Sequence, residues 1–237
     1  MSGTDEVVIL AGGFGTRLRS VVSDVPKPLA PVRGRPFLAW LLDALAEQGL
    51  RRAVLATGYM GDRVAATLGS SWRSMELEYS REEQPLGTGG AIAKAVTLLH
   101  GNTFFVLNGD TWLSLDYADF DLQMRAACAP IGMALAEVVD ASRYGAVNLE
   151  HEKVAGFLEK GRGGPGYINA GVYRIERSLL ADFPAQPCFS FETDVLLPAA
   201  ARGAVAAYTH TGGFIDIGIP EDYQRAQVEL LATRGAL

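Results

Sequence analysis

Short apolar runs alternate with longer amphipathic stretches through the first half of the chain. Val7-Val8-Ile9-Leu10 is too short and too uniformly apolar for a surface helix, so it predicts a buried strand over 7–10, broken at once by glycine. Residues 36–49 predict a helix: Pro36 suits its first turn, Leu38, Leu41, Leu42 and Leu45 form one stripe, and Gly49 suits the stop. Strands are predicted over 53–57, 75–80 and 104–107, with a short helix over 63–68. Another helix follows Ala91, with Ile92, Ala95, Val96 and Leu99 at helical spacing. Such alternation predicts an α/β fold with a parallel sheet and right-handed crossovers.

The second half changes character. Residues 131–138, 145–149, 154–160 and 167–175 read as strands joined by short turns, and 161–166 is too rich in glycine to be regular. A short helix over about 191–200, a strand over 205–208 and a final helix from Pro220 complete the pattern. Neither a repeat nor a linker divides the chain, so 1–237 reads as one domain. Its parts are about 1–130 and about 131–237.

Of the 237 residues, 49% are hydrophobic, enough to fill a core without long disordered tails. The net charge of −6 argues against a nucleic-acid-binding face. Nothing at the start resembles a signal peptide and no apolar run is long enough for a membrane span, so no membrane partner is expected. Cys128 and Cys188 have neither metal nor redox spacing and read as reduced thiols in a cytoplasmic protein. Three histidines without paired spacing argue against a zinc site.

Candidate chemistry begins at the end of the first strand. Gly12, Gly13 and Gly15 let backbone turn sharply and leave N–H groups free to form an anion-binding concavity. Arg17 follows, and Lys27 stands one short loop later, so two cations converge where a triphosphate would sit. Neither G-x-G-x-x-G nor the P-loop motif is present. Asp110 closes the run Asn108-Gly109-Asp110 at the carboxyl end of a predicted central strand, where open α/β sheets bind ligands.

The string Ala11-Gly12-Gly13-Phe14-Gly15-Thr16-Arg17-Leu18, followed by Pro26-Lys27-Pro28, resembles the signature of the sugar-phosphate nucleotidylyltransferases. In the same order come Pro85-Leu86-Gly87-Thr88-Gly89-Gly90, Asn108-Gly109-Asp110, Glu159-Lys160, Asn169-Ala170-Gly171 and Phe214-Ile215-Asp216-Ile217-Gly218. The Pro-Leu-Gly-Thr-Gly-Gly-Ala form and the chain length are most similar to the D-glycero-D-manno-heptose-1-phosphate guanylyltransferases. Two departures are Lys160-Gly161, where many relatives have Lys-Pro, and Phe214, where many have Trp.

The resemblance implies a Rossmann-like mixed, mostly parallel sheet flanked by helices, with a smaller β-rich sugar-binding lobe. It also implies attack of a sugar-1-phosphate on the α-phosphorus of a nucleoside triphosphate. The catalytic set it implies is Arg17 on the β- and γ-phosphates, Lys27 on the α-phosphate, Lys160 on the sugar phosphate, and Asp110 with Asp216 as ligands of Mg²⁺. Leu10, Ala11, Gly12, Gly13, Gly15, Thr16, Pro85, Gly87, Thr88, Asn108 and Gly109 would surround the nucleotide. Glu82 or Glu83 would accept from guanine N1–H and its 2-amino group, which favours GTP. Tyr144, Gly145, Glu159, Asn169 and Asp194 would face the sugar. Mannose-1-phosphate guanylyltransfer, glucose-1-phosphate thymidylyl- or uridylyltransfer, and a catalytically silent nucleotide-sugar sensor are the rival readings. A homodimer is possible through the extended β segments and the last helix.

Overall fold

The computed structural model describes residues 3–13, 18, 22, 25–158, 161 and 163–234, without the side chains of the last four. Val7, Val8 and Ile9 are fully buried in β1 (Glu6–Leu10). Val7 and Ile9 enter one core cluster and Val8 the other, as the two-residue period of a strand buried on both faces requires.

A small hairpin, β2 (Pro31–Val32) and β3 (Arg35–Pro36), precedes α1 (Phe37–Glu47), whose Phe37, Leu38, Leu41, Leu42 and Leu45 are buried. Pro36 therefore ends the hairpin and stands just before the helix rather than inside its first turn. Next come β4 (Arg52–Thr57), α2 (Gly61–Leu68), β5 (Ser71–Trp72), β6 (Met75–Arg81), α3 (Gly87–Val96), β7 (Thr103–Asn108) and β8 (Thr111–Leu113). The helix expected after Ala91 thus starts five residues earlier, at Gly87 inside the glycine run.

A helix that the periodicity had not revealed, α4 (Tyr117–Ala126), follows: Asp116 caps it by accepting from the Ala118 and Asp119 N–H groups. Its buried face is narrow, with Tyr117, Phe120 and Met124, and four charged or amide side chains dilute the pattern. Then come β9 (Ile131–Val138), β10 (Val147–Glu150), β11 (Lys153–Phe157) and β12 (Gly166–Glu176). A wide π-type turn over Glu192–Leu196 leads into α5 (Leu197–Ala201), followed by β13 (Val205–Tyr208), β14 (Phe214–Asp216) and α6 (Pro220–Arg234).

One ten-stranded sheet runs β10-β11-β13-β9-β12-β7-β1-β4-β6-β5 through both halves of the chain. From β7 to β6 its strands are parallel, and β12 enters antiparallel between β7 and β9. Beyond it β13 returns parallel to β9, so the second half is more than a series of hairpins. Helices α1 and α4 pack against one face and α3 and α5 against the other.

Candidate active site

The carboxyl ends of β7, β1, β4 and β6 lie side by side, and the chain leaving β1, β6 and β7 is pinned there. Ala11 N–H donates to the Ala56 carbonyl at 2.8 Å, Glu82 N–H to Thr57 at 2.7 Å and Gly109 N–H to Leu10 at 2.9 Å. Above this edge opens a cleft of about 390 Å³. Its floor is Leu10, Gly12, Gly13 and Ala56, and one wall is Glu82, Pro85, Gly87, Thr88 and Ala91. Asn108, Asp110 and Glu192 line the rest. Gly12 allows this approach: a Cβ there would stand 2.8 Å from Glu82 Oε1 and 3.2 Å from the Gly58 amide nitrogen.

Glu82 is held within the loop, its Oε2 accepting from Leu86 N–H at 3.0 Å, which leaves Oε1 beside Gly12. The wall beyond it is a packing interface. Gly89 N–H donates to the Phe189 carbonyl and Phe189 N–H to the Leu86 carbonyl, both at 3.0 Å. A Cβ on Gly89 would strike the Phe189 ring, and one on Gly90 the Pro187 carbonyl, each closer than 3.0 Å. The glycines of Gly87-Thr88-Gly89-Gly90 therefore let the 187–191 segment lie directly on the start of α3. Glu192 reaches the cleft because of that contact.

Two residues far apart in sequence, Asp110 and Asp216, meet through a two-stranded ladder in which β14 runs antiparallel to β8 with Asp216 opposite Thr111. Ile217 N–H donates to the Asp110 carbonyl at 3.0 Å and extends the ladder. Lys27, on the turn 27–29, puts its ammonium on Asp110 Oδ2 and 3.8 Å from Asp216 Oδ1. Burial and the nearby Asp110 carboxylate push the Asp216 carboxyl above the usual range, with Lys27 opposing them.

On the far side of β7 from β1, Asn169 of β12 donates from Nδ2 to the Tyr173 hydroxyl at 2.7 Å. Its Oδ1 accepts from Gly171 N–H at 3.0 Å. Burial raises the Tyr173 hydroxyl, and the Glu192 carboxylate nearby adds to the shift, so Tyr173 stays a neutral donor and acceptor. Tyr144 stands apart, lining a neighbouring hollow of about 450 Å³ with Arg143, Phe214 and Arg225. The Tyr144 hydroxyl donates to Asp222 Oδ2 at 3.3 Å, and burial followed by Asp222 pushes its pKa up to about 12.

A model of the family described as nucleotidyl transferase matches residues 6–233. The chain belongs to the nucleotidyl transferase family. It is 37% identical over 225 residues to the D-glycero-alpha-D-manno-heptose 1-phosphate guanylyltransferase of Aneurinibacillus thermoaerophilus, an alignment covering 95% of this chain and 98% of that one. Against the mannose-1-phosphate guanylyltransferase of Mycobacterium tuberculosis it is 36% identical over 231 residues, covering 95% of this chain and 64% of that protein. Among solved structures, HddC from Yersinia pseudotuberculosis complexed with GMP-PN superposes with a TM-score of 0.85 at 39% identity, covering 94% of this chain and 98% of that one.

Within this nucleotidyl transferase, the cleft gathers Leu10, Gly12, Gly13, Glu82, Pro85, Gly87, Thr88, Asn108 and Asp110 from the residues singled out in the sequence. Ala11 and Gly109 sit in its backbone bonds. Gly15, Thr16, Arg17, Glu159 and Lys160 lie outside the described residues. Glu83 is exposed and does not line the cleft. Gly145, with a left-handed φ of 83°, belongs to the turn before β10 and not to a strand. Asp194 is exposed and accepts from Ser190 N–H at 2.8 Å, fixing the turn it stands on. The carboxylate that this turn sends into the cleft is Glu192, which the sequence reading missed. Its signal was the contact with the glycine run, invisible without the fold.

Asp110 and Asp216 suit a hard divalent cation: both are oxygen donors, and both already bracket one positive charge, the Lys27 ammonium. Among the described residues no cluster of three or more His, Cys, Asp or Glu could hold a metal. Two carboxylates match a cation that keeps waters and takes its remaining ligands from phosphate oxygens. No described helix is long and apolar enough to cross a membrane.

Proposed function

We propose that this protein is a sugar-1-phosphate guanylyltransferase that transfers GMP from GTP to D-glycero-D-manno-heptose 1-phosphate, releasing pyrophosphate, in nucleotide-sugar biosynthesis for surface polysaccharide. The observation that carries the reading is the convergence of Lys27 and Asp216 on Asp110, which lines a glycine-floored cleft. The guanylyltransferases among its relatives supply the base and sugar.

A sugar phosphate is anionic near neutral pH, so its oxygen attacks the α-phosphorus without a general base. The new P–O bond forms as the bond to the β-phosphate breaks, and pyrophosphate leaves with its electron pair. Catalysis therefore consists of positioning and charge neutralisation. Lys27, held against Asp110, presents a fixed ammonium to the α-phosphate as its charge redistributes. In this reading Arg17 holds the β- and γ-phosphates and Lys160 holds the sugar phosphate for in-line attack. Glu82 Oε1 faces the base, where a carboxylate accepts from guanine N1–H and the 2-amino group. Asn169 and Glu159 meet sugar hydroxyls. Mg²⁺ bound by Asp110 and Asp216 would neutralise triphosphate charge and stabilise the departing pyrophosphate.

The test is pyrophosphate release with GTP, ATP, CTP, UTP and dTTP against mannoheptose-, mannose- and glucose-1-phosphate, with and without chelator. Release confined to GTP and the heptose phosphate, and abolished by chelator, supports the proposal. Another productive pair would keep the reaction and overturn the substrates. No turnover beside measurable nucleotide binding would favour a sensor.

A further inference from the structure

Among the described residues, Glu192 is the cleft carboxylate that neither the metal site nor the base uses. Its Oε2 accepts from Thr88 Oγ1 at 2.6 Å and from Ser190 Oγ at 3.1 Å. Thr88 Oγ1 in turn accepts from Phe191 N–H at 2.8 Å, so the orienting hydroxyl is itself locked. Two donors on one oxygen fix the plane of the carboxylate and leave Oε1 as an acceptor without a described hydrogen-bond partner.

Its place in the cleft identifies what it meets. Gly12, Ala56 and Glu82 lie at the β1 and β4 end, where the base is placed above. Glu192 directly follows Phe191, whose ring packs edge-on against Tyr173 of β12 with centroids 5.1 Å apart, and Tyr173 is bonded to Asn169. Since β12 flanks β7 on the side away from β1, the Phe191 contact puts Glu192 on the β12 side of the cleft, away from the Gly12 and Ala56 floor. An ionised carboxylate has only acceptors, so a neighbour must bring O–H or N–H donors and no negative charge of its own. A sugar ring supplies hydroxyl donors.

We propose that Glu192 accepts a hydrogen bond from a ring hydroxyl of the sugar-1-phosphate and helps decide which sugar is used, with Thr88 and Ser190 orienting it. The inference rests on the guanylyltransfer reading. A buried hydroxyl bonded to a charged acceptor discriminates strongly, because a sugar lacking it leaves the carboxylate desolvated and unpaired.

The experiment compares wild type, Glu192→Gln and Ser190→Ala in pyrophosphate release with GTP and mannoheptose-, mannose- and glucose-1-phosphate. For Glu192→Gln the KM of the preferred sugar phosphate should rise about tenfold or more. The KM for GTP should stay within about twofold, and the preference between mannose and glucose phosphates should flatten. Ser190→Ala, which removes one of the two orienting donors, should shift the same constant in the same direction by less. This second variant keeps the test informative if Glu192→Gln does not fold. An unchanged sugar KM overturns the proposal, and so does a rise of similar size in the KM for GTP, which would put Glu192 on the ribose. If wild type turns over no pair, the guanylyltransfer reading fails separately. Calorimetric binding of mannose 1-phosphate to wild type and Glu192→Gln then decides the role of Glu192: weaker binding by the variant supports it, and equal binding overturns it.

Discussion

Replacing Gly90 by alanine tests whether the glycine run serves packing or mere flexibility. In the interior of an ordinary helix the change stabilises by about 0.8–1 kcal/mol, since glycine is the poorer helix former. Gly90 is inside α3, yet its missing Cβ would lie against the Pro187 carbonyl and 2.9 Å from Leu86 Cβ. Backbone on one side cannot rotate away as a side-chain tip can, so the 187–191 segment must move. Overpacking of this kind typically destabilises by about 1–3 kcal/mol. The Gly89–Phe189 and Phe189–Leu86 backbone bonds, each 3.0 Å, are strained by the same shift and contribute about 1 kcal/mol apiece if lost. After the helix-propensity gain is subtracted, the net destabilisation is about 2 kcal/mol. At about 2–4 °C per kcal/mol for a domain of this size, the melting temperature should fall by about 4–8 °C. Gly156→Ala in β11 is the control: no atom lies within 4 Å of the position a Cβ would take there, so its stability should change by less than about 0.5 kcal/mol. Scanning calorimetry of the three proteins reads both effects. A Gly90→Ala variant that melts at or above the parent would refute the packing argument.

Three further substitutions probe separate parts of the molecule. Asp110→Asn should lower turnover by at least about a hundredfold while GTP binding, followed by calorimetry, survives; near-parental turnover would remove Asp110 from the chemistry. Glu82→Gln keeps an oxygen for Leu86 N–H but puts an amide donor where the proposed guanine would offer its own donors, so the preference for GTP over ATP should weaken in competition assays. An unchanged preference would leave Glu82 as a loop fastener alone. Asp121→Asn should destabilise by about 2–3 kcal/mol in urea titration at pH 7, because Arg174, only 1% exposed, loses the carboxylate 3.0 Å from its Nε and is left with Glu176, 3.3 Å from its Nη1. Burial alone would raise the Asp121 carboxyl, but Thr4 N–H, the Arg174 guanidinium and the Thr4 hydroxyl outweigh it and hold the group below its ordinary value of 3.8. Its stabilising contribution is therefore full above that pH and is lost as pH falls through the lower folded value. The gap between wild type and variant should be level from neutrality down to about pH 5 and narrow only in stronger acid.

Much of this molecule was legible in its residues one after another. Continuous apolar runs such as Val7-Val8-Ile9-Leu10 read as strands covered on both faces, and the four strands predicted in the first half lie side by side in the sheet as β7-β1-β4-β6. The glycine floor and Lys27 could likewise be read locally, because a sharp turn and a cation need only neighbouring residues to reveal them. What could be missed locally was missed: α4 has a capping Asp116 but an apolar face of only three residues, too weak a period to stand out beside its polar positions. The tertiary structure alone decided the rest. Asp110 and Asp216 meet because β8 and β14 pair across the chain, and no spacing within either segment encodes that register. Gly89 and Gly90 look like loop residues until Pro187 and Phe189 are laid against them, and that contact is what carries Glu192 to the cleft. Hydrophobic periodicity is a property of neighbours along the chain. The meeting of carboxylates, hydroxyls and an ammonium depends on which distant backbones can approach, and packing settles that only once the whole sheet has formed.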